Sequence, residues 1–471
     1  MTFDPFAGPR LLATTPTTET QREIWAAAQV GGDANLAYNE SLSVRLVGEL
    51  DRAALAAALT ELVARHEALR ATFAADGLTM LVNETAEVPL VDVDCTSGPE
   101  PLAELLDQVV TEPFRLEKGP LARAHLAKLS PTEHVLVFTA HHIVCDGWSA
   151  GVLVNEWAQL YTAKKSGGPS LPEAPKFSAW AKEVEAHHKS AQGAADEAWW
   201  LARFTGGELP VLELPGDRPR PPLKTFNSER EDLVLDGELV ARLKKAGAKH
   251  RASLFAVLLA GFKALLWRLS GQEDQIVGVP SAGQSIGGYD GLVGHCVNML
   301  PLRTRVNPEA AVAQLVAEVR TTLLDGQAHQ LFTMGQLLQK LPIARDPSRL
   351  PLVTVIFNLD RGLGPEAMPF EGLAPALEGN PRRYELYDLF LNVVELGGQA
   401  KLECQFNSDQ FDVETVRRWL DAYRLLLQSM AEALEKGEGT VASLRLVSDA
   451  ELESLARWNG ESALDVDPSL T

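Results

Sequence analysis

Residues 141–149 read HHIVCDGWS: two adjacent histidines, then an aspartate and a glycine after three further residues. Imidazole titrates near neutrality, so a histidine beside a carboxylate is a natural device for moving a proton or orienting a nucleophile. On its own the pair fits hydrolysis, acyl transfer or two satisfied core side chains equally well. Adjacent strand residues point to opposite faces, so only one of His141 and His142 can look into a given cavity, and the other is structural. His295 could join them around zinc, but no His-x-x-x-His or Cys-x-x-Cys companion stands at metal spacing. The expectation is no metal. Asp146 sits in a turn ahead of Gly147, where a buried carboxylate needs a partner. Gly147 reads either as a plain turn glycine or as a backbone N–H that can stabilise an oxyanion. Cys95, Cys145, Cys296 and Cys404 are scattered singly and read as reduced thiols.

The elements around this segment are those that hold reactive groups on a rigid frame. Residues 134–140 form an apolar run that reads as a strand buried on both faces, and 149–165 a helix with Ser149 as its N-cap. Residues 51–66 have alanine and leucine at helical spacing, and 88–94 and 121–129 read as strands. Gly/Pro-rich stretches at 164–175 and 214–224 mark a seam, after which the same grammar returns. Helices are predicted at 252–269, 308–324 and 413–434, and strands at 275–279, 297–306, 352–359, 384–396 and 401–406. The reading is α/β with two lobes, each a sheet with helices packed on it.

Composition limits the functions available. The chain has 471 residues, 46 % apolar and 23 % charged, with 43 Lys and Arg against 63 Asp and Glu, a net charge of −20. That argues against a nucleic-acid surface. No apolar run approaches the roughly 18 to 20 residues that cross a bilayer, and no signal pattern opens the chain, so no membrane partner and a cytoplasmic location are expected.

The surrounding motifs make HHIVCDGWS specific. In order along about 430 residues stand TETQREIW (18–25), RHEALRATF (65–73), FSAWA (177–181), LPGDRPRP (214–221), VGHCVNMLPLR (293–303), AHQLF (328–332) and RDPSRLPL (345–352). Taken together they resemble the condensation domains of nonribosomal peptide synthetases, whose HHxxxDG signature the central segment matches in full. The resemblance implies two chloramphenicol-acetyltransferase-like lobes in a V-shaped pseudo-dimer with a central tunnel. It sets a first lobe at 1–180, a second at 181–445 with a floor loop at 281–294 and a latch at 361–381, and a linker at 446–471.

The implied reaction joins a carrier-bound acyl or peptidyl thioester to the amine of a carrier-bound aminoacyl thioester. Upstream and downstream peptidyl carrier proteins and an adjacent adenylation domain are the implied partners. The substrates ride on phosphopantetheine arms, and the domain itself holds no cofactor. His142 is then the catalytic side chain, as base or as positioner of the amine, with Gly147 beside it. His141, Asp146 and Arg303 support the site, Asp146 paired with Arg303. Trp148, Ser149 and Asn298 fall on the substrate or pantetheine tunnel. Ala179, Glu183, the AHQLFTMGQLLQKL stretch and GHCVN depart from the common family pattern and resemble the subgroup of hybrid or modified-amino-acid modules. Two alternatives follow: a domain that also dehydrates a seryl or threonyl intermediate, and a non-catalytic recruitment platform.

Overall fold

The computed structural model describes residues 10–448 except 206 and 286, together with 452–453 and 456–457. The expected linker at 446–471 therefore falls largely outside the described residues. The chain is α/β and builds two lobes, each around a mixed sheet with its own core.

In the first lobe five strands run in the order Leu373–Gly379, Asn39–Gly48, Glu133–His141, Ala122–Ser130, Leu90–Asp94. After Glu133 the strand Glu133–His141 is buried throughout because alternate residues feed different cores. Leu136, Phe138 and Ala140 join the main core, while Val135 and Val137 pack in a smaller one with Leu105 and Val109 of the helix Glu100–Thr111. The helix Arg52–Arg65 starts where Asp51 accepts from Ala54 N at 2.9 Å, and it buries Leu55, Leu59 and Leu62 on this sheet. Fully burying one such leucine contributes roughly 1.5 to 3 kcal/mol.

The second lobe has six strands, in the order Val297–Arg305, Asp274–Ala282, Val355–Arg361, Leu389–Leu396, Gln399–Asn407, Ser228–Leu235. The helix Leu254–Ser270, begun by Ser253 accepting from Ala256 N at 3.2 Å, is apolar nearly all round and lies at the centre of this core. No single helix among the described residues is long and apolar enough to cross a membrane.

Two segments of the second lobe cross to the first. The stretch 361–381, expected as a loop reaching back, contains the strand Leu373–Gly379, which pairs antiparallel with Asn39–Gly48 and completes the first sheet. Met368 and Phe370 enter the first core beside it. The crossing is tight: Gly48 has φ +138°, and a Cβ there would lie 2.4 Å from Gly372 O. The glycine-rich stretch after Ala282 makes the second crossing and sends Leu292, Val293 and Cys296 into the first core.

One boundary differs from expectation. The helix after the histidines is Gly147–Ser166, and its N-cap is Asp146, not Ser149. Asp146 has extended backbone angles, which leaves its carboxylate free to turn back onto the Ser149 N–H at 2.8 Å.

Candidate active site between the lobes

His141 ends the central strand of the first sheet and is fully buried. Its Nδ1 accepts from Ile143 N at 3.2 Å, which leaves Nε2–H to donate to Asn35 Oδ1 at 3.0 Å. Burial, then the neighbouring His142 ring, pushes its pKa down to about 3, so it is a neutral structural imidazole.

His142 faces the other way, toward the second lobe. Its backbone N–H is held by Tyr38 O at 2.8 Å, and its side chain is about one-fifth exposed. Nδ1 lies 3.1 Å from Nδ1 of His295 on the second crossing, the two rings edge to face. Burial and the two other histidines hold His295 well below the usual imidazole value, so it meets His142 as a neutral ring. Nε2 lies 3.2 Å from Glu40 Oε1. Glu40 is in turn bound by Arg382, which reaches from the second lobe and also donates to Glu385 at 3.0 Å. Burial opposes ionisation of Glu40, but Arg382 and then His142 outweigh it and keep the carboxyl below its ordinary range.

Asp146 organises the turn below. It is fully buried and accepts from Ser149 N and Oγ at 2.8 and 2.7 Å, Gln284 Nε2 at 2.9 Å and Cys296 N at 2.9 Å. Two of these donors come from the second crossing, so this carboxylate ties the lobes together with neutral partners. The expected pairing with Arg303 is not made. Arg303 sits five residues beyond Asn298 on its strand, roughly 17 Å at the strand rise. There it binds Asp274 through Nε and Nη2 at 3.0 and 2.6 Å and donates to Arg203 O. The neighbouring strand offers Asp274 at the same end, and Gln284 already fills the place beside Asp146.

Gly147 opens the helix, where the first N–H groups have no partner within the helix and point out of its positive end. It is exposed, and a Cβ there would meet nothing within 4 Å. Trp148 is 39 % exposed and donates from Nε1 to Asp290 O at 2.9 Å. Ser149 Oγ accepts from Gly294 N at 3.0 Å. Trp148 and Ser149 thus pin the second crossing to the helix start. Asn298 lines a small open cleft with Thr18, Trp180, Ser281, Cys296 and Thr333. Both its amide hydrogens are committed, to Gln330 O and Phe332 O at 2.8 and 3.0 Å, and Oδ1 accepts from Met334 N at 3.1 Å. What it has left for a ligand is one oxygen lone pair.

The four cysteines are buried, and burial together with Asp146 raises Cys145 well above the ordinary thiol value, which leaves it no nucleophilic role. Among the described residues no group of three or more His, Cys, Asp or Glu could hold a metal ion.

Sequence reasoning missed Glu40, Arg382, Gln284 and Asn35, and weighed His295 only as a zinc ligand. Glu40 carried a faint signal, a carboxylate in NESLSVRL on the strand paired with the histidine strand. The others touch the site only through tertiary approach.

The chain matches the condensation-domain family model over residues 12–456. It is 32 % identical over 455 residues, 96 % of this chain, to surfactin synthase subunit 2 of Bacillus subtilis (strain 168), of which the matched stretch is 12 %. It is 32 % identical over 445 residues, 93 % of this chain, to tyrocidine synthase 3 of Brevibacillus parabrevis, of which it spans 7 %. The chain is thus similar to a small part of each of these long relatives. The condensation domain of the Monacolin K polyketide synthase MokA superposes with a TM-score of 0.82 at 22 % identity, covering 92 % of this chain and all of that one. With a family-model match and relatives covering nearly its whole length, this chain belongs to the condensation domains.

Proposed function

We propose that this domain forms an amide bond between two carrier-bound thioesters, the amine of the acceptor attacking the acyl carbonyl of the donor. The observation that carries this reading is the placement of His142. It projects from a strand end into the junction of the lobes, accessible and in contact with Glu40 of the first lobe and His295 of the second. The family match supports amide formation as the reaction class. The hybrid or modified-amino-acid subgroup is part of the proposal and rests on the GHCVN and AHQLF variants.

The amine nitrogen adds to the thioester carbonyl carbon, and the carbonyl electrons move onto oxygen. The adduct then loses a proton from nitrogen, the C–S bond breaks, and the sulfur leaves as thiol once it takes up a proton. An α-amino group with a pKa of roughly 7.7 to 8.0 is already partly neutral near pH 7, so the demand on a base is small. His142 serves chiefly by holding the amine, and accepting its proton adds a factor of roughly 10² to 10⁴. The N–H of Gly147, at the positive end of its helix, is the donor we assign to the oxyanion. The cleft beside Asn298 is the approach for one pantetheine arm.

The test is to load donor and acceptor carriers and follow the acceptor by intact mass, wild type against His142→Ala. An amide product that falls at least about 100-fold in rate in the variant supports the reading. Equal yields remove His142 from the chemistry. With a seryl donor, a product lighter by one water assigns the dehydrating alternative instead. No product from wild type with any loaded pair points to the recruitment platform.

A further inference from the structure

We infer that Glu40 anchors the α-ammonium group of the acceptor beside His142, an assignment that rests on the amide-forming reading above. Glu40 is a carboxylate about three-quarters buried between the lobes, and its two oxygens are used unequally. Oε1 faces Arg382 and lies 3.2 Å from His142 Nε2, a contact that is not aligned as a hydrogen bond. Oε2 has no hydrogen-bond partner among the described residues. On the other side of the ring, Nδ1 of His142 is taken by neutral His295. The nitrogen of His142 left for a ligand is therefore Nε2, immediately beside a carboxylate that keeps one oxygen open.

Two acceptors on neighbouring side chains, an imidazole nitrogen and a carboxylate oxygen, call for a donor with several hydrogens and a positive charge. An α-ammonium group fits both: one N–H to Glu40, another toward Nε2. The charge balance agrees. Arg382 is shared with Glu385, so Glu40 has only part of one guanidinium to answer its charge. Arg382 also clamps the Glu40 side chain, so the anchor is held in place before substrate arrives. The attacking nitrogen is positive again as the adduct forms, so the anchor holds it about equally before and during attack, and its loss raises the acceptor KM and leaves kcat nearly unchanged.

The experiment compares wild type, Glu40→Gln and Glu40→Asp with untethered N-acetylcysteamine thioesters. From a panel of aminoacyl acceptors and acyl donors the best pair is taken, together with the aminooxy counterpart of that acceptor, whose weakly basic nitrogen is uncharged at pH 7. The anchor predicts that Glu40→Gln raises KM for the amine acceptor by about tenfold or more with kcat within about threefold. It also predicts an aminooxy KM within about twofold of wild type, and partial recovery in Glu40→Asp. Equal losses for both acceptors would mean that Glu40 only holds Arg382, and no change for either would mean that the ammonium sits elsewhere; both overturn the anchor. Wild type that joins no pair of the panel overturns the amide-forming reading itself.

Discussion

The carboxylate of Asp146 shows how a site residue is best understood through the groups that satisfy it. Its acceptors are filled by Ser149, Gln284 and the Cys296 N–H, all neutral, while Arg303 is spent on Asp274. Removing one donor from a buried acceptor costs about 1 to 3 kcal/mol. The two candidate supports should therefore separate. Gln284→Ala strips Asp146 of its side-chain partner from the second crossing and is expected to lower thermal stability and, by loosening the turn that carries Gly147, to lower the condensation rate. Arg303→Ala removes a partly exposed ion pair worth at most about 1 kcal/mol, and the rate should stay within about twofold of wild type. Parallel melting curves and initial rates decide this, and a large rate loss in Arg303→Ala alone would contradict the assignment of Asp146's partners.

At the scale of elements, what could be read from the sequence is what is local. Asp51 announces a helix start because a cap acts within three residues, and the continuous apolar run at 134–140 places a strand buried on both faces because both sides of it must meet a core. The cap falls on Asp146, three positions ahead of the expected Ser149, because Asp and Ser both cap well and only the backbone angles choose between them. The strand Leu373–Gly379 was hidden in a Gly/Pro-rich stretch because its partner, Asn39–Gly48, is more than three hundred residues away. Family resemblance supplied the histidine signature and the notion of two crossings, yet not the contacts of Glu40 or His295, which depend on how closely the lobes meet. The second crossing is held at one narrow point. Gly294 has φ +158°, and a Cβ there would lie 2.0 Å from Phe177 Cδ2. Gly294→Ala should cost about 1 to 3 kcal/mol through overpacking, and should displace the next residue, His295, from His142. Phe177→Leu on top of it should recover part of both stability and rate, whereas alone it should only destabilise. A double-mutant cycle with no coupling would show that the ring does not set the position of the loop.

For the whole molecule, the ionisable groups buried around the lobe junction set how the fold responds to acid. His141 and His295 are neutral inside the protein, with pKa values pushed below the ordinary 6.5, His141 to about 3. Below pH 6.5 the unfolded chain takes up protons that these rings refuse, so each contributes stability that is full above that pH and lost as pH falls, at about 1.4 kcal/mol per unit. Glu23 works the other way. It receives Gly335 N–H at 3.0 Å across the lobe boundary, and burial, with Glu19 adding to it, raises its pKa to about 7. Between about pH 4.5 and 7 the folded state therefore holds a proton that the unfolded state has lost, and this term grows as pH falls. The two histidines outweigh the one glutamate, and His125, His134 and His188, also held low by burial, add to them, so stability should decline from pH 6 to pH 5. The separate contributions can be drawn out by substitution. His141→Gln, which keeps a donor and an acceptor, should flatten the fall in thermal midpoint over this range, and Glu23→Gln should steepen it. Thermal midpoints at pH 7, 6 and 5 for the three proteins provide the check; a slope unmoved by His141→Gln would show that this ring is already protonated within the native fold.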